Sequence, residues 1–289
     1  MRRSCLFIPS SNPGMIQSSE IYENDTVIFD LEDGVSLNEK DSARILLKNF
    51  LDSFDLPNKE VMVRINSFDL VNNVSLGEID LNEIVSDKID SIMFPKARVS
   101  ELEKLDSILT KIEEDKKLSK KIRVVPIIEL AISLIEVEQI ARCNRVDGIL
   151  LGAEDLTSDM EVARSESSIE IAYPRSRIAI ACKAYKIDAI DTPYTNVNNY
   201  GGLKEDALYA KSIGMNAKAC IHPNQIEIIN KVFSPNEKEI LKAQRIIAAF
   251  KEEKKGAFSL DGKMVDKPII ERSMKILEKA KKFGLIDEE

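Results

Sequence analysis

One unit recurs eight times along this chain: a short apolar, β-branched run closes on a polar or charged residue and then yields to a helical stretch. The runs are Cys5-Leu-Phe-Ile-Pro9, Thr26-Val-Ile-Phe-Asp30, Val61-Met-Val-Arg-Ile-Asn66, Ser91-Ile-Met-Phe-Pro-Lys96, Val124-Val-Pro-Ile-Ile-Glu129, Gly148-Ile-Leu-Leu-Gly-Ala-Glu-Asp155, Ala189-Ile-Asp191 and Ala217-Lys-Ala-Cys-Ile-His222. Their apolar residues are consecutive, not alternating, as a parallel sheet covered on both faces requires. Eight such units close a TIM (β/α)8 barrel, whose chemistry sits at the C-terminal strand ends. The expected architecture is a barrel over residues 1–233 and a C-terminal extension over 234–289.

Helical stripes fill the gaps between the runs. Leu102, Leu105, Ile108 and Ile112 share one face of a Glu/Lys-rich stretch. Ala43, Leu46, Leu47, Phe50, Leu51 and Phe54 form a second stripe, and Leu130, Leu134, Val137 and Ile140 a third. Two segments break the rhythm. Leu156 to Glu170 is polar and reads as a long loop on the catalytic face, a candidate lid. Past the eighth run, a helix is expected from Ser234-Pro235 to about Lys255 with Gly256 ending it, then a hairpin about Asp261-Gly262, then a helix from Pro268. A hairpin that the barrel does not need must pack over its own active face or against a neighbouring subunit.

The 41 Lys and Arg are scattered among 49 Asp and Glu, for a net charge of −8, and form no basic stripe for nucleic acid. No apolar run approaches membrane-spanning length, and too few apolar residues follow Arg2-Arg3 for a secretory signal, so a cytoplasmic protein is expected. Cys5, Cys143, Cys182 and Cys220 lie far apart and read as reduced core residues. No phosphate-cradling glycine loop for nucleotides or dinucleotides occurs.

The chemistry-bearing residues are mostly acids. Glu129 and Asp155 end the fifth and sixth runs, where neighbouring strands bring two carboxylates within reach of one hard cation, Mg²⁺ or Mn²⁺. Each acid also suits a helix cap. Asp30, Glu32 and Asp33 crowd the second run's end, and clustered acids are costly without a cation. Arg64 points into the barrel mouth, as a bidentate donor to a carboxylate or enolate oxygen, or onto the helix layer in an ion pair, depending on register. Lys96 suits a substrate phosphate or carboxylate. His222, the only histidine, fits a local hydrogen-bonding role better than catalysis.

Arg2-Arg3-Ser4, Asn12-Pro-Gly-Met15, Phe29-Asp-Leu-Glu-Asp-Gly34, Val63-Arg-Ile-Asn66, Pro95-Lys96, Glu129, Gly152-Ala-Glu-Asp155, Ile221-His-Pro223 and Gly262-Lys-Met-Val-Asp-Lys-Pro268 together resemble the citrate lyase β-subunit family, among the metal-dependent aldolases and acyl-CoA lyases. The resemblance runs from end to end. It implies a TIM barrel in a homotrimer or hexamer, with Mg²⁺ on Glu129 and Asp155 and with citrate lyase α and γ subunits as partners. It implies substrate contact through Arg64; Asn66, Lys96 and Glu32 are expected beside it, and Asp30 and Asp33, from their strand-end positions, are expected to orient water. It also implies that Asp266 enters an adjacent subunit's site as acid/base. The implied reaction is cleavage of a citryl thioester, carried on acyl carrier protein or coenzyme A, to oxaloacetate and an acetyl thioester. A stand-alone malyl- or citramalyl-CoA lyase, to which Ile221-His-Pro223 is similar, stays open beside it, as does a non-catalytic thioester-binding subunit.

Overall fold

The computed structural model describes residues 1–253 and 257–287. They fall into two units, Met1–Ile229 and Asn230–Glu289. In the first unit, three strands open the chain, β1 (Ser4–Pro9), β2 (Thr26–Asp30) and β3 (Glu60–Arg64). A small hairpin follows, β4 (Leu70–Val71) with β5 (Val74–Ser75). Then come β6 (Ser91–Phe94), β7 (Arg123–Ile128), β8 (Gly148–Leu151), β9 (Asp188–Asp191) and β10 (Ala217–Cys220). Apart from the hairpin these strands are parallel and close a barrel in the order β1-β10-β9-β8-β7-β6-β3-β2. Each of the eight apolar runs supplies one barrel strand.

Strand periodicity fixes what the barrel contains. Cys5, Ile28, Met62, Met93, Val125, Ile127, Leu150, Ile190, Ala217 and Ala219 form one buried cluster, with partly buried Phe7 against it. Side chains two positions apart share a face. Asp30 therefore follows Ile28 inward, Arg64 follows Met62, and Glu129 follows Ile127. The alternative of Arg64 on the helix layer is thereby settled in favour of the mouth.

The outer helices match most of the expected stripes. In Val99–Lys116 the buried residues are Leu102, Leu105, Leu109 and Ile112, with Leu109 replacing Ile108 on the inner face. In Lys40–Ser53, Ala43, Leu47, Phe50 and Leu51 are buried, whereas Phe54 lies past the helix end and is 50% exposed. The third stripe is divided between Ala131–Ile135 and Val137–Ala141. Between them stands Glu136, whose carboxylate accepts from the Arg98 guanidinium and from the Val99 N–H. Leu156 to Asp159 continue the Ala153–Asp159 helix, so the expected loop starts only after it. Its Arg164 pairs with Glu154 at 3.0 Å and with Glu170.

The second unit contains the helix Glu237–Glu253, the hairpin β11 (Phe258–Leu260) with β12 (Lys263–Val265), and the helix Lys267–Lys282. Asn236 and Glu239 cap the first helix reciprocally, which sets its start beyond Ser234-Pro235. The end expected at Lys255 and Gly256 lies outside the described residues. Asp261 (φ 53°) and Gly262 (φ 73°) both occupy left-handed backbone, as a type I′ hairpin turn demands. Ile246, Val265 and Ile270 form this unit's core. Among the described residues no helix is long and apolar enough to cross a membrane.

Candidate active site

Above the apolar cluster, at the C-terminal strand ends, lies a cavity of about 390 Å³. Phe7, Ile127 and Leu150 form its floor, and Asp30, Asp33, Arg64, Glu129 and Asp155 supply its charge. Strands β2, β3 and β7 and the Ala153–Asp159 helix thus deliver the charged set to one place.

Arg64 is held before any ligand arrives. Its Nε and Nη2 donate to the two Asp30 oxygens at 2.7 and 2.6 Å, a bidentate pairing that fixes the plane of the guanidinium. Its Nη1 lies 2.9 Å from Glu32 and 3.5 Å from Asp33, and its guanidinium sits over the Phe7 ring at 5.1 Å. Burial works against the charge, but the Asp30 bonds and the neighbouring carboxylates outweigh it and raise the Arg64 pKa. Asp30 also accepts from the N–H groups of Glu32 and Gly34, at 2.9 and 2.8 Å. With two donors on each oxygen it positions Arg64 and the 30–34 loop, and has no lone pair left to orient a water. A Cβ on Gly34 would stand 2.4 Å from Asp30 Oδ2, so only glycine permits that approach.

A second tier buttresses the loop. Lys40 Nζ donates to the Leu31 and Glu32 carbonyls at 2.8 and 2.6 Å. Asn66 Nδ2 donates to Leu31 O and to Asp80, and Asp80 in turn accepts from Arg44. Asn66, expected beside the substrate, lies past the end of β3 and is not among the residues lining the cavity; its Nδ2 is engaged by this buttress. Glu32 is likewise buried behind Arg64, with Oε2 outside hydrogen-bonding geometry despite its 2.9 Å approach. Burial, only partly offset by Arg64 and reinforced by Asp33, Glu129 and Asp30, pushes its pKa up to about 8.

Glu129 is 2% exposed, and one oxygen accepts the Lys96 N–H at 2.6 Å. Lys96 presents that N–H from left-handed backbone (φ 49°), while its side chain is exposed. Burial, opposed by the Lys96 bond and reinforced by Asp155, pushes the Glu129 pKa up to about 7. Asp155 stands in the first turn of Ala153–Asp159, one element later than the strand end expected for it. Its pKa is also raised, by partial burial and by Asp33. Gly152 lets the backbone ahead of that helix pass close against Glu129. A Cβ there would lie 2.7 Å from Glu129 Cβ and 2.9 Å from Ile127 Cγ2.

Among the described residues no group of three or more His, Cys, Asp or Glu is placed so that together they could hold a metal ion. What converges is a pair of carboxylates, each made harder to ionise by its surroundings, beside further acids with one arginine between them. That donor set fits a hard cation that retains water, Mg²⁺ or Mn²⁺, and not a soft one.

Of the other expected residues, Asp33 lies at the rim with its side chain 69% exposed. His222 is exposed, and its Nδ1 accepts the Asn224 N–H at 3.2 Å, the local role expected of it. Asp266 begins the Lys267–Lys282 helix in the second unit, where its side chain caps the Ile269 N–H. Cys5, Cys143, Cys182 and Cys220 are all free thiols. Sequence reasoning missed Gly152 and Thr192 as site residues, although Thr192 directly follows the seventh apolar run and lines the cavity.

The family model described as HpcH/HpaI aldolase/citrate lyase matches residues 3–223. The chain is 38% identical to the citrate lyase subunit beta of Haemophilus influenzae, over 97% of each chain. It is 29% identical to the mitochondrial citramalyl-CoA lyase of Mus musculus, over 96% of this chain and 85% of that protein. A crystal structure of protein CitE from Mycobacterium tuberculosis, in complex with magnesium, acetoacetate and coenzyme A, matches with a TM-score of 0.78 and 27% identity, over 96% of this chain and 98% of that one.

Proposed function

Because the chain belongs to the HpcH/HpaI aldolase/citrate lyase family and is a lyase as its named relatives are, we propose that it cleaves a citryl thioester, in the cytoplasm, to oxaloacetate and an acetyl thioester. One observation carries the reading: an inward arginine fixed on Asp30 shares a single cavity with the Glu129 and Asp155 carboxylates. That arrangement suits a substrate with an α-hydroxy acid at one end and a carbonyl that becomes an enolate at the other.

Glu129 and Asp155 would hold the Mg²⁺, or Mn²⁺, which when bound supplies a Lewis acid for the α-hydroxy acid end. In the reaction the hydroxyl loses its proton, the carbon–carbon bond breaks, and the electron pair passes to the thioester as an enolate that is then protonated at carbon. Arg64 meets the negative charge on that thioester oxygen. Its Nη1, shared with Glu32 and exposed Asp33, is the end that a substrate oxygen takes over. Asp33 at the rim orients water, and the Lys96 ammonium receives a carboxylate or phosphate of the incoming substrate. Asp266 of a neighbouring subunit moves the proton to carbon, in a homotrimer or hexamer. Mixing Arg64→Ala chains with Asp266→Ala chains tests this: recovered activity supports a shared site, and none counts against it.

Similarity to a citramalyl-CoA lyase supports a second reading, in which the carrier is coenzyme A and the chain acts without α and γ subunits. Keto-acid release, with and without Mg²⁺, from citryl, malyl and citramalyl thioesters on coenzyme A and on acyl carrier protein decides between them. Oxaloacetate from the citryl carrier-protein substrate alone supports the first reading. Preference for a coenzyme A ester supports the second, and silence on every substrate removes both for the isolated chain.

A further inference from the structure

Four charged side chains take no direct part in this chemistry, yet are buried behind the barrel wall next to it. Arg175, Asp191 and Lys218 are fully buried, and Asp206 nearly so. Arg175 donates to Asp191 at 2.8 and 2.9 Å and to Asp206 at 2.8 Å. Lys218 donates to Asp191 and to Asp206, both at 2.6 Å. The third bond of Lys218 leaves the quartet and reaches the Thr192 carbonyl at 2.7 Å.

Thr192 is where this buried network touches the cavity. It is 2% exposed and follows β9 directly. Its Oγ1 accepts the Ala153 N–H at 3.4 Å, across the β8–β9 boundary. Ala153 is the first residue of the helix that carries Asp155, and Gly152, the residue before it, has no side chain with which to cap that helix. A helix start without its own cap takes its orientation from whatever satisfies its first N–H groups.

We propose that Thr192 is a positioning residue for Asp155, fixed from behind by Lys218 and the Arg175–Asp191–Asp206 cluster, and that through it this charge network sets the spacing of the carboxylate pair. The physical case is geometric: Lys218 holds the Thr192 backbone, Thr192 Oγ1 holds the first turn of the helix, and the first turn holds Asp155. The inference rests on the reading of Glu129 and Asp155 as metal ligands, so its test measures the metal and the helix separately.

The variants are Thr192→Val, which keeps the branched shape without the acceptor, Thr192→Ser, which keeps the acceptor, and Asp155→Asn. Calorimetric titration with Mg²⁺ should show about 10–100-fold weaker binding for Thr192→Val, the usual cost of losing a group that orients a ligand. Binding should return toward the parent value in Thr192→Ser, with the melting curve of each variant confirming a folded chain. Amide exchange over residues 153–159, measured without metal, should quicken in Thr192→Val and recover in Thr192→Ser. Exchange unchanged in Thr192→Val overturns the inference whatever the metal does. Normal Mg²⁺ affinity in Thr192→Val, alongside lost affinity in Asp155→Asn, overturns it while leaving the metal reading intact. Undiminished affinity in Asp155→Asn instead removes that reading and, with it, the role assigned here to Thr192.

Discussion

The two ends of the barrel use the same residue types to opposite effect. At the N-terminal strand ends, Arg2 bonds Glu60 at 2.5 and 2.6 Å and also reaches Asp147 and Asp188, while Arg123 bonds Glu60 and Asp147. Burial alone would raise the Glu60 pKa, but the arginines outweigh it and hold it down at about 2. At the C-terminal ends, Asp30, Glu32, Asp33, Glu129 and Asp155 gather around Arg64, and two of these acids are pushed up to about 8 and about 7. A closed set of pairs stabilises the fold. Surplus negative charge weakens it, and so marks the end of the barrel where a cation from outside the chain is expected.

Glu129→Gln gives the sharpest contrast. Turnover should fall about a thousandfold or more, and calorimetric Mg²⁺ binding should vanish, while the metal-free protein unfolds no more easily than the parent. Retained Mg²⁺ affinity in that variant would break the comparison. The same substitution at the other end, Glu60→Gln, should cost about 3–5 kcal/mol in chemical denaturation by leaving buried Arg2 short of its partner. A loss under about 1 kcal/mol would show that this end does not hold the barrel together. Arg64→Lys keeps the charge but loses the fork, and should lower kcat about a hundredfold with the fold intact. Steady-state kinetics at saturating substrate reads it.

The smallest effect is the pH dependence, and its sign differs between the ends. Glu32 and Glu129 have raised values, so their contribution to stability is complete below about 4.5 and is lost as pH climbs through about 7 and 8. Glu60 is depressed, so its contribution is present above about 4.5 and is lost as pH falls toward about 2. Denaturation of the metal-free protein from about pH 5 to 8 should therefore show declining stability, with Mg²⁺ affinity rising about tenfold between about pH 6 and 8. A flat affinity profile would mean that Glu129 ionises normally.

The strands could be read from the sequence because each is buried on both faces and so leaves an unbroken apolar run. Their inward and outward positions were harder to read. Whether Arg64 faces the mouth depends on which alternate residues of β3 fill the barrel, and burial of Met62 in the inward cluster supplies that, with Asp30 paired to Arg64 across β2 and β3. Asp155 closes the sixth run in the sequence, yet the strand ends at Leu151 and the chain turns into a helix after Gly152. Asn66 belongs to the Val63-Arg-Ile-Asn66 fragment, but its side chain turns to the buttress behind the 30–34 loop. Its true partner, Asp80, lies fourteen residues on, in a helix that no spacing rule connects to it.

The floor of the cavity is also the top of the barrel's filling, because Phe7, Ile127 and Leu150 belong to both. Depth of the binding chamber and tightness of the interior are therefore one property here. Carving room for a bulkier acyl group, as in Leu150→Ala, would remove packed volume from the middle of the barrel at a cost of about 2–5 kcal/mol. A lineage or a designer that widens the range of substrates must first reinforce the scaffold, and the ion pairs of Arg2 and Arg123 at the opposite end are a reserve on which such a change can draw.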